Sequence, residues 1–179
     1  ENCEFINTTS TSNGGAIHFD LDSGSQHKIQ TLNLINNSFI DCESKFGGAI
    51  TNMGGILNIS NSKFLKNCAN FSGGAIYTTW SNVFITNCTL TNNSAQKNAG
   101  AIYFDKKNLT IINSSLTNNI ISKVSNTTAN GIYAYDASIY FANTTFNNGG
   151  VGVYANFAAD SKLENITKMK MFSYLTIKT

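Results

Sequence analysis

The chain has 179 residues, and its 12 basic residues, all lysine, stand against 10 acidic ones, so the formal net charge at pH 7 is +2. This balance provides no basic stripe for DNA or RNA, and we expect no nucleic-acid partner. No stretch approaches the roughly 18 uninterrupted apolar residues of a transmembrane helix, and we expect any export signal to have been removed or to lie upstream.

The chain repeats itself, and two independent anchors define the repeat. The first anchor is an apolar residue after a small, glycine-containing motif, at Ile17, Ile50, Ile76, Ile102, Ile132 and Val153. The second is an asparagine followed three residues later by Phe or Leu, at Asn2/Phe5, Asn36/Phe39, Asn61/Phe64, Asn87/Leu90, Asn113/Leu116 and Asn143/Phe146. In four repeats the first anchor and the next asparagine are 11 residues apart, so the anchors agree in register.

Apolar and polar residues alternate just before the repeated asparagine, as at Leu57 and Ile59 or at Leu109 and Ile111. A period of two is typical of a strand with one buried face. Each repeat therefore predicts three short strands: at the glycine motif, at the alternating segment and from the Phe onward. A helix is disfavoured by the period, and a propeller blade needs four strands in about 40 to 45 residues.

Strands this short cannot bury their apolar faces unless successive repeats stack. We predict an all-β fold, a right-handed single-stranded parallel β-helix of the pectate-lyase-like kind, with about six coils and three short strands per coil. Residues 1–160 are expected to form the β-helix repeats, and residues 161–179 a degenerate final coil or strand-like tail. We interpret the whole as a segment of a longer protein.

The asparagine that ends each alternating strand has an expected architectural role. Asn tolerates the left-handed backbone conformation that a sharp bend requires. In stacked coils its amide can bond the equivalent amide of the next coil. We therefore predict an internal asparagine ladder at Asn36, Asn61, Asn87, Asn113 and Asn143. The glycine pairs are predicted to let the backbone re-enter the sheet without a Cβ clash.

The motifs resemble those of a known family. GGAI occurs at residues 14–17, 47–50 and 73–76, and FLKN at residues 64–67 fits an FxxN pattern. Paired GGAI and FxxN repeats are similar to those of chlamydial polymorphic outer-membrane proteins and of adhesin-like surface proteins of methanogenic archaea and some protists. The resemblance covers about residues 2–154 and weakens toward the C-terminus, where AGAI, ANGI and GGVGVY replace GGAI. It implies an exported, surface-exposed protein used for adhesion.

Parallel β-helices also include polysaccharide lyases and hydrolases, so the acidic residues are the first test of an enzymatic function. Asp20 and Asp105 occupy equivalent repeat positions, but three coils, roughly 14 Å, separate them. Glycosidic cleavage needs carboxylates roughly 5 to 10 Å apart. Lyases of this fold often use arginine, which the chain lacks. We expect no enzyme activity and no cofactor.

Residues 19–28 form an insertion relative to the other repeats. The order Asp20, Asp22, Gly24 echoes the start of a calcium loop but lacks the later ligands and the closing Glu. His18 and His27 lack a convincing third ligand or a nucleophile partner. We expect a surface loop and no metal site.

The four cysteines allow three pairings. Cys3 and Cys88 fall at one repeat position three coils apart, which is too far for a disulfide. Cys42 and Cys68 lie after the Phe of adjacent coils, where the rung spacing permits a bond. Two stacked free thiols in the wall are the alternative.

The residue after the first anchor is tyrosine in four consecutive coils, at Tyr77, Tyr103, Tyr133 and Tyr154. Alternation turns these rings outward if the anchor points inward. The stripe has two interpretations. It is either a glycan-contact surface, on which sugar rings stack, or a cross-coil stack that stiffens the wall.

Eleven N-x-S/T sequons occur. Those at Asn36, Asn87, Asn113 and Asn143 coincide with the predicted ladder, where a glycan would not fit. The predicted N-glycosylation sites are Asn58, Asn70, Asn108, Asn126 and Asn165.

These patterns favour a non-enzymatic structural and adhesive β-helix of a cell-surface or extracellular assembly. Its expected partners are further β-helix repeats of the same protein or assembly neighbours, and glycans or host or cell-surface proteins. One alternative is a carbohydrate-active β-helix enzyme whose site lies largely outside this segment. Another is an ice- or matrix-binding solenoid, which is disfavoured because no outward Thr column runs through all coils.

Overall fold

Successive turns of the chain stack directly over one another in the computed structural model, which describes residues 1–21, 29–124, 128–156 and 161–173. The first anchor residues are paired in register from coil to coil, in the order Ile17, Ile50, Ile76, Ile102, Ile132 and Val153. The described residues contain no helix that is able to cross a membrane. The predicted fold, a parallel all-β solenoid, is confirmed.

Short strands make up almost all of the regular structure. The first eleven are β1 (Glu4–Ile6), β2 (Ile17–Asp20), β3 (Thr31–Ile35), β4 (Ser38–Ile40), β5 (Glu43–Phe46), β6 (Ile50–Met53), β7 (Ile56–Ser60), β8 (Lys63–Leu65), β9 (Cys68–Ser72), β10 (Ile76–Thr79) and β11 (Asn82–Thr86). The others are β12 (Thr89–Thr91), β13 (Ser94–Ala95), β14 (Ile102–Ile112), β15 (Ser115–Thr117), β16 (Ile120–Ile121), β17 (Ile132–Ala142), β18 (Thr145–Asn147), β19 (Val153–Asn156), β20 (Lys162–Glu164) and β21 (Met171–Ser173).

Three parallel sheets run along the stack. The first has the order β1-β4-β8-β12-β15-β18 and begins each time at the Phe motif. A large sheet joins the glycine-motif strands to the alternating strands, because β14 and β17 span both segments without a break. The third sheet has the order β16-β13-β9-β5. Its members are a fourth short strand per coil, which the sequence pattern did not predict. Six strands in the first sheet delimit about five complete turns, slightly fewer than the six coils predicted.

The interior is one continuous column of apolar side chains. Phe39 and Phe64 are fully buried, and their rings stack at 4.7 Å, while Phe5 stacks on Phe39 at 4.9 Å. Ile50 and Ile76 are also fully buried and belong to the same core cluster. Burying each such side chain contributes about 1.5–3 kcal/mol, so stacking in register supplies the stabilisation that a single repeat lacks.

The second glycine of the GGAI motifs has no room for a side chain. A Cβ on Gly48 or Gly74 would lie closer than 3.0 Å to the carbonyl oxygen of the equivalent glycine in the next coil. A real Cβ essentially never approaches backbone so closely. The prediction that glycine is needed here to avoid a Cβ clash is therefore confirmed.

Replacing Gly74 by Ala should lower the free energy of unfolding by about 1–3 kcal/mol or more, because the new methyl group overlaps the backbone of the next coil. Gly152 is the matched control, since its nearest atom would lie at 3.4 Å from a Cβ and its φ is not in the left-handed region. Gly152→Ala should change stability by no more than about 0.5 kcal/mol. Urea denaturation measures both, and equal effects would contradict the clash.

Candidate functional site

The asparagines predicted to form an internal ladder lie on the outside of the solenoid. Asn61, Asn87 and Asn113 have the left-handed φ of 50°, 55° and 51° that was expected of them. Their side chains are exposed, and those of Asn36 and Asn143 are too. Asn87 Nδ2 donates to Asn61 Oδ1 at 3.2 Å, and Asn143 Nδ2 donates to Asn113 Oδ1 at 3.1 Å. The asparagines therefore bond from coil to coil in these two links, but the prediction that their ladder is internal is wrong.

A different set of asparagines forms the buried ladder. Asn67, Asn93 and Asn119 are completely buried, and Asn148 is 6% exposed. Asn67 Nδ2 donates to Asn93 Oδ1 at 2.9 Å, and Asn93 Nδ2 donates to Asn119 Oδ1 at 2.9 Å. Asn119 Nδ2 continues the ladder to Asn148 Oδ1 at 2.8 Å. The signal was present in the sequence, because Asn67 is the last residue of the FxxN motif.

Each buried amide also bonds the backbone at a bend. Asn93 Oδ1 accepts from the backbone N–H of Asn67 at 3.0 Å, and Asn93 Nδ2 donates to the Phe64 carbonyl at 3.2 Å. These backbone groups lie where one sheet ends and the next begins. The amide therefore satisfies polar groups that would otherwise be buried without a partner.

The predicted Cys42–Cys68 disulfide is not present, since all four cysteines are free thiols. Cys42 is fully buried and takes the first position of the buried ladder, where its N–H donates to Asn67 Oδ1 at 3.0 Å. Cys68 instead pairs with Glu43, whose side chain is exposed. Cys68 therefore lies one position further along its strand than the position that Cys42 occupies in the preceding coil. Successive positions of a strand point to opposite sides, so the two thiols do not face each other. Burial raises the pKa of the Cys88 thiol.

The four aligned tyrosines form a stacked column. Ring centroids lie 4.6 Å apart for Tyr77 and Tyr103, 5.3 Å for Tyr103 and Tyr133, and 5.0 Å for Tyr133 and Tyr154, with planes within 10°. Phe46 extends the column, tilted against Tyr77 at 5.0 Å. Neighbouring rings cover each other's faces, so the half-buried Tyr77, Tyr103 and Tyr133 offer ring edges rather than free faces to a ligand, whereas Tyr154 is buried. The cross-coil stack is therefore the geometry observed, and glycan contact stays a prediction.

Asp105 borders the tyrosine column. Its Oδ1 atom is buried and has no hydrogen-bond partner in the described part of the chain. Burial raises the pKa of Asp105 above its ordinary value, while the nearby Lys106 charge acts in the opposite direction. Burial also raises the pKa of Tyr77 and of Tyr103, and the Asp105 charge adds to both shifts.

The acidic residues considered for catalysis are not brought together. Asp20 and Asp105 lie in one row of the large sheet, separated by Met53 and Thr79. Among the described residues, no group of three or more His, Cys, Asp or Glu side chains could hold a metal ion. Asp22, Gly24 and His27 of the expected surface loop lie outside the described residues.

Predicted glycosylation sites Asn70, Asn108 and Asn165 are exposed, and Asn58 is half-buried. Their amides bond neighbouring coils: Asn58 Nδ2 donates to Asn33 at 2.8 Å, and Asn108 Nδ2 donates to Asn82 at 3.1 Å. Asn126 lies outside the described residues. The sequon asparagines of the outer ladder, Asn36, Asn87, Asn113 and Asn143, are exposed as well. The expectation that a glycan would not fit at these positions rested on an internal ladder and no longer holds.

Comparison with known families gives a match to a repeat family. Residues 61–79 and 87–105 match the model of the Chlamydia polymorphic membrane protein repeat. Each matched stretch runs from an outer-ladder asparagine through the Phe or Leu position and the buried amide into the next glycine-motif strand. The resemblance inferred from GGAI and FxxN is thereby confirmed. No curated protein and no solved structure gives a significant match.

The repeat match and the solenoid fold fit a surface-exposed, adhesin-like structural protein.

Replacing Asn93 by Ala should lower the free energy of unfolding by about 3 kcal/mol or more, because the Asn67 N–H and the Phe64 carbonyl lose their buried partner. Asn58→Ala is the control, since it removes an amide that bonds only Asn33 in an exposed hydrogen bond. We expect a change of at most about 0.5 kcal/mol there. Similar losses in urea denaturation would argue against a special role of the buried ladder.

Alkaline pH should destabilise the protein through the tyrosine column. The pKa of Tyr103 is raised above its ordinary value of 10.0 by burial, so folding favours the protonated ring. The stabilisation is complete below about pH 10 and is lost as pH rises through the higher pKa of the folded state. Tyr103→Phe should therefore match the wild type near neutral pH and lose less stability above about pH 10. Parallel stability curves from urea denaturation would contradict this.

Proposed function

We propose that this chain is a non-enzymatic, structural and adhesive segment of a protein exposed on a cell surface or in an extracellular assembly. The observation that carries the proposal is the match of two successive coils to the Chlamydia polymorphic membrane protein repeat. The family name describes membrane proteins, and a rigid stack of coils suits such a location by presenting rows of side chains at fixed spacing.

The proposed contact surface combines the tyrosine column with the turns between strands. Because the rings cover each other's faces, contact with a glycan or protein uses the ring edges and hydroxyl groups. Hydroxyl groups of Tyr suit this role, since each both donates and accepts a hydrogen bond. Further β-helix repeats are proposed as partners along the axis.

We also propose glycosylation of the exposed sequons where the producing cell modifies exported proteins. The exposure of Asn70, Asn108 and Asn165 supports this. An amide nitrogen carries two hydrogens, so a glycan replaces one while the other keeps the bond to the next coil. Glycosylation at these positions is therefore compatible with the outer amide bonds.

Neither alternative function gains support from the described residues. In the first sheet one outward row consists of Ile6, Ile40, Leu65, Thr91, Thr117 and Asn147. Thr91 and Thr117 hydroxyls lie 3.0 Å apart, but the row is apolar in its first half. A uniform threonine face for ice is therefore not formed by this row.

Labelled protein should bind saturably to cell surfaces or to a glycan array. Phe in place of Tyr77, Tyr103, Tyr133 and Tyr154 keeps the stacked rings but removes the hydroxyl groups. This variant should fold and bind several-fold more weakly, because each lost hydrogen bond contributes about 0.5–1.5 kcal/mol.

Unchanged binding of the variant would remove the tyrosine edge as the contact surface. Absence of saturable binding to any surface would overturn the adhesive function. Release of reducing ends or unsaturated sugars from a polysaccharide panel would overturn the non-enzymatic assignment.

A further inference from the structure

The single tryptophan of the chain has an unusual backbone conformation. Trp80 has φ of +56°, and it is the only aromatic residue among the described non-glycine residues with positive φ. The same turn is occupied in other coils by Gly54, Lys106 and Asp136, which also have positive φ. The fold therefore imposes a left-handed residue at this turn. A bulky aromatic residue is disfavoured there, and such strain concentrates at functional sites.

Core packing does not explain the tryptophan, because its side chain is 57% exposed. Lys106 of the next coil supports one face of the indole, with Nζ 3.9 Å from the ring centroid. The preceding coil has Gly54 and Gly55 at this turn, so these residues place no side chain over the ring. The three atoms nearest to a Cβ position on Gly54 all belong to the side chain of Leu21, an apolar neighbour. Trp80 is thus held in place from one side and exposed.

A second exposed aromatic residue follows on the same side of the chain. Phe84 is 42% exposed. Ser81, Val83 and Ile85, which alternate with Asn82 and Phe84, are fully buried. Trp80, Asn82 and Phe84 therefore project outward in a row. Asn82 and Phe84 lie on one face of β11, about 7 Å apart, and Trp80 lies at the left-handed turn just before this strand.

We propose that Trp80, Asn82 and Phe84, with Lys106, bind a polysaccharide chain that runs along β11. Aromatic rings provide the apolar platform for sugar rings, while the Asn82 amide and the Lys106 ammonium reach hydroxyl groups. This inference rests on the proposed adhesive function and names its ligand class.

A glycan fits this row better than an apolar protein surface. Asn58 and Thr110 lie on either side of Phe84, and Asn108 Nδ2 donates to Asn82 Oδ1 at 3.1 Å. Amides and hydroxyls surround the rings, whereas protein hot spots are typically enclosed by contacts that exclude water. The row also falls between the two stretches that match the family repeat, residues 61–79 and 87–105.

Intrinsic fluorescence tests the site directly, because Trp80 is the only tryptophan. Titration with a neutral glucan, a xylan, chitin oligosaccharides and polygalacturonate should shift or quench the emission saturably for at least one of them. Calorimetry should then show at least a tenfold loss of affinity for Trp80→Asn and a several-fold loss for Phe84→Thr. Trp80→Asn should melt no lower than the wild type, because Asn tolerates the left-handed turn.

Tyr140→Thr is the matched control, since Tyr140 lies two coils along the same outward row as Phe84. This variant should keep the affinity. Unchanged emission with every polysaccharide, or full affinity of Trp80→Asn and Phe84→Thr, would overturn the proposal. If the wild type still bound cells in either case, the adhesive function would stand without this site, whereas loss of all cell binding would remove the function itself.

Discussion

Hydrogen bonding along the stacking axis is the constraint on which the rest of the structure depends. Successive coils pair in register apart from a shift between β5 and β9, and the offset between Ile50, Ile76 and Ile102 is 26 residues each time. At the bends, where the ladder of strands is interrupted, the buried amides of Asn67 and Asn93 continue the bonding. Extra residues are therefore compatible with the fold only between the paired strands.

The same constraint decides which functions suit the surface. Inward side chains pack against the equivalent residues of the neighbouring coils. Binding surfaces on the outside are therefore built from rows of side chains that repeat at the rung spacing of about 4.8 Å. Like side chains accumulate in such rows, as in the tyrosine column and the outer asparagine ladder. A row of this kind offers repeated, equally spaced contacts to an extended ligand. Trp80 departs from this regularity, which is why it stands out as a site.

Local pattern was sufficient to predict three of the strands in each coil, the rows of Ile and Phe and the left-handed asparagines. It failed at the bends for a physical reason. Lys66 has φ of +56°, and this left-handed residue interrupts the in–out alternation between Phe64 and Asn67. Phe64 and Asn67 are both buried, although residues three positions apart in a regular strand point to opposite sides. The inward residue is thus the one after the left-handed residue, so Ser62 is buried and Asn61 is exposed.

Other misses have related causes. The possible Cys42–Cys68 bond rests on the rung spacing between adjacent coils, but Cys68 is paired with Glu43 and lies one position further along the strand than Cys42. Trp80 was overlooked because it occupies a turn, although alignment of the repeats places it beside Gly54 and Lys106. The sequence predicts which residues are equivalent between coils, whereas the direction of a side chain at a bend depends on the backbone around it.

The orientation of the inter-coil bonds also determines how the molecule responds to mechanical load. Pulling along the axis acts on bonds that lie parallel to the force, so the coils separate one rung at a time. Each released coil of 26 residues extends to roughly 90 Å, compared with about 5 Å of rise in the stack. A surface tether of this design lengthens stepwise under tension and dissipates energy before the attachment at its end has to break.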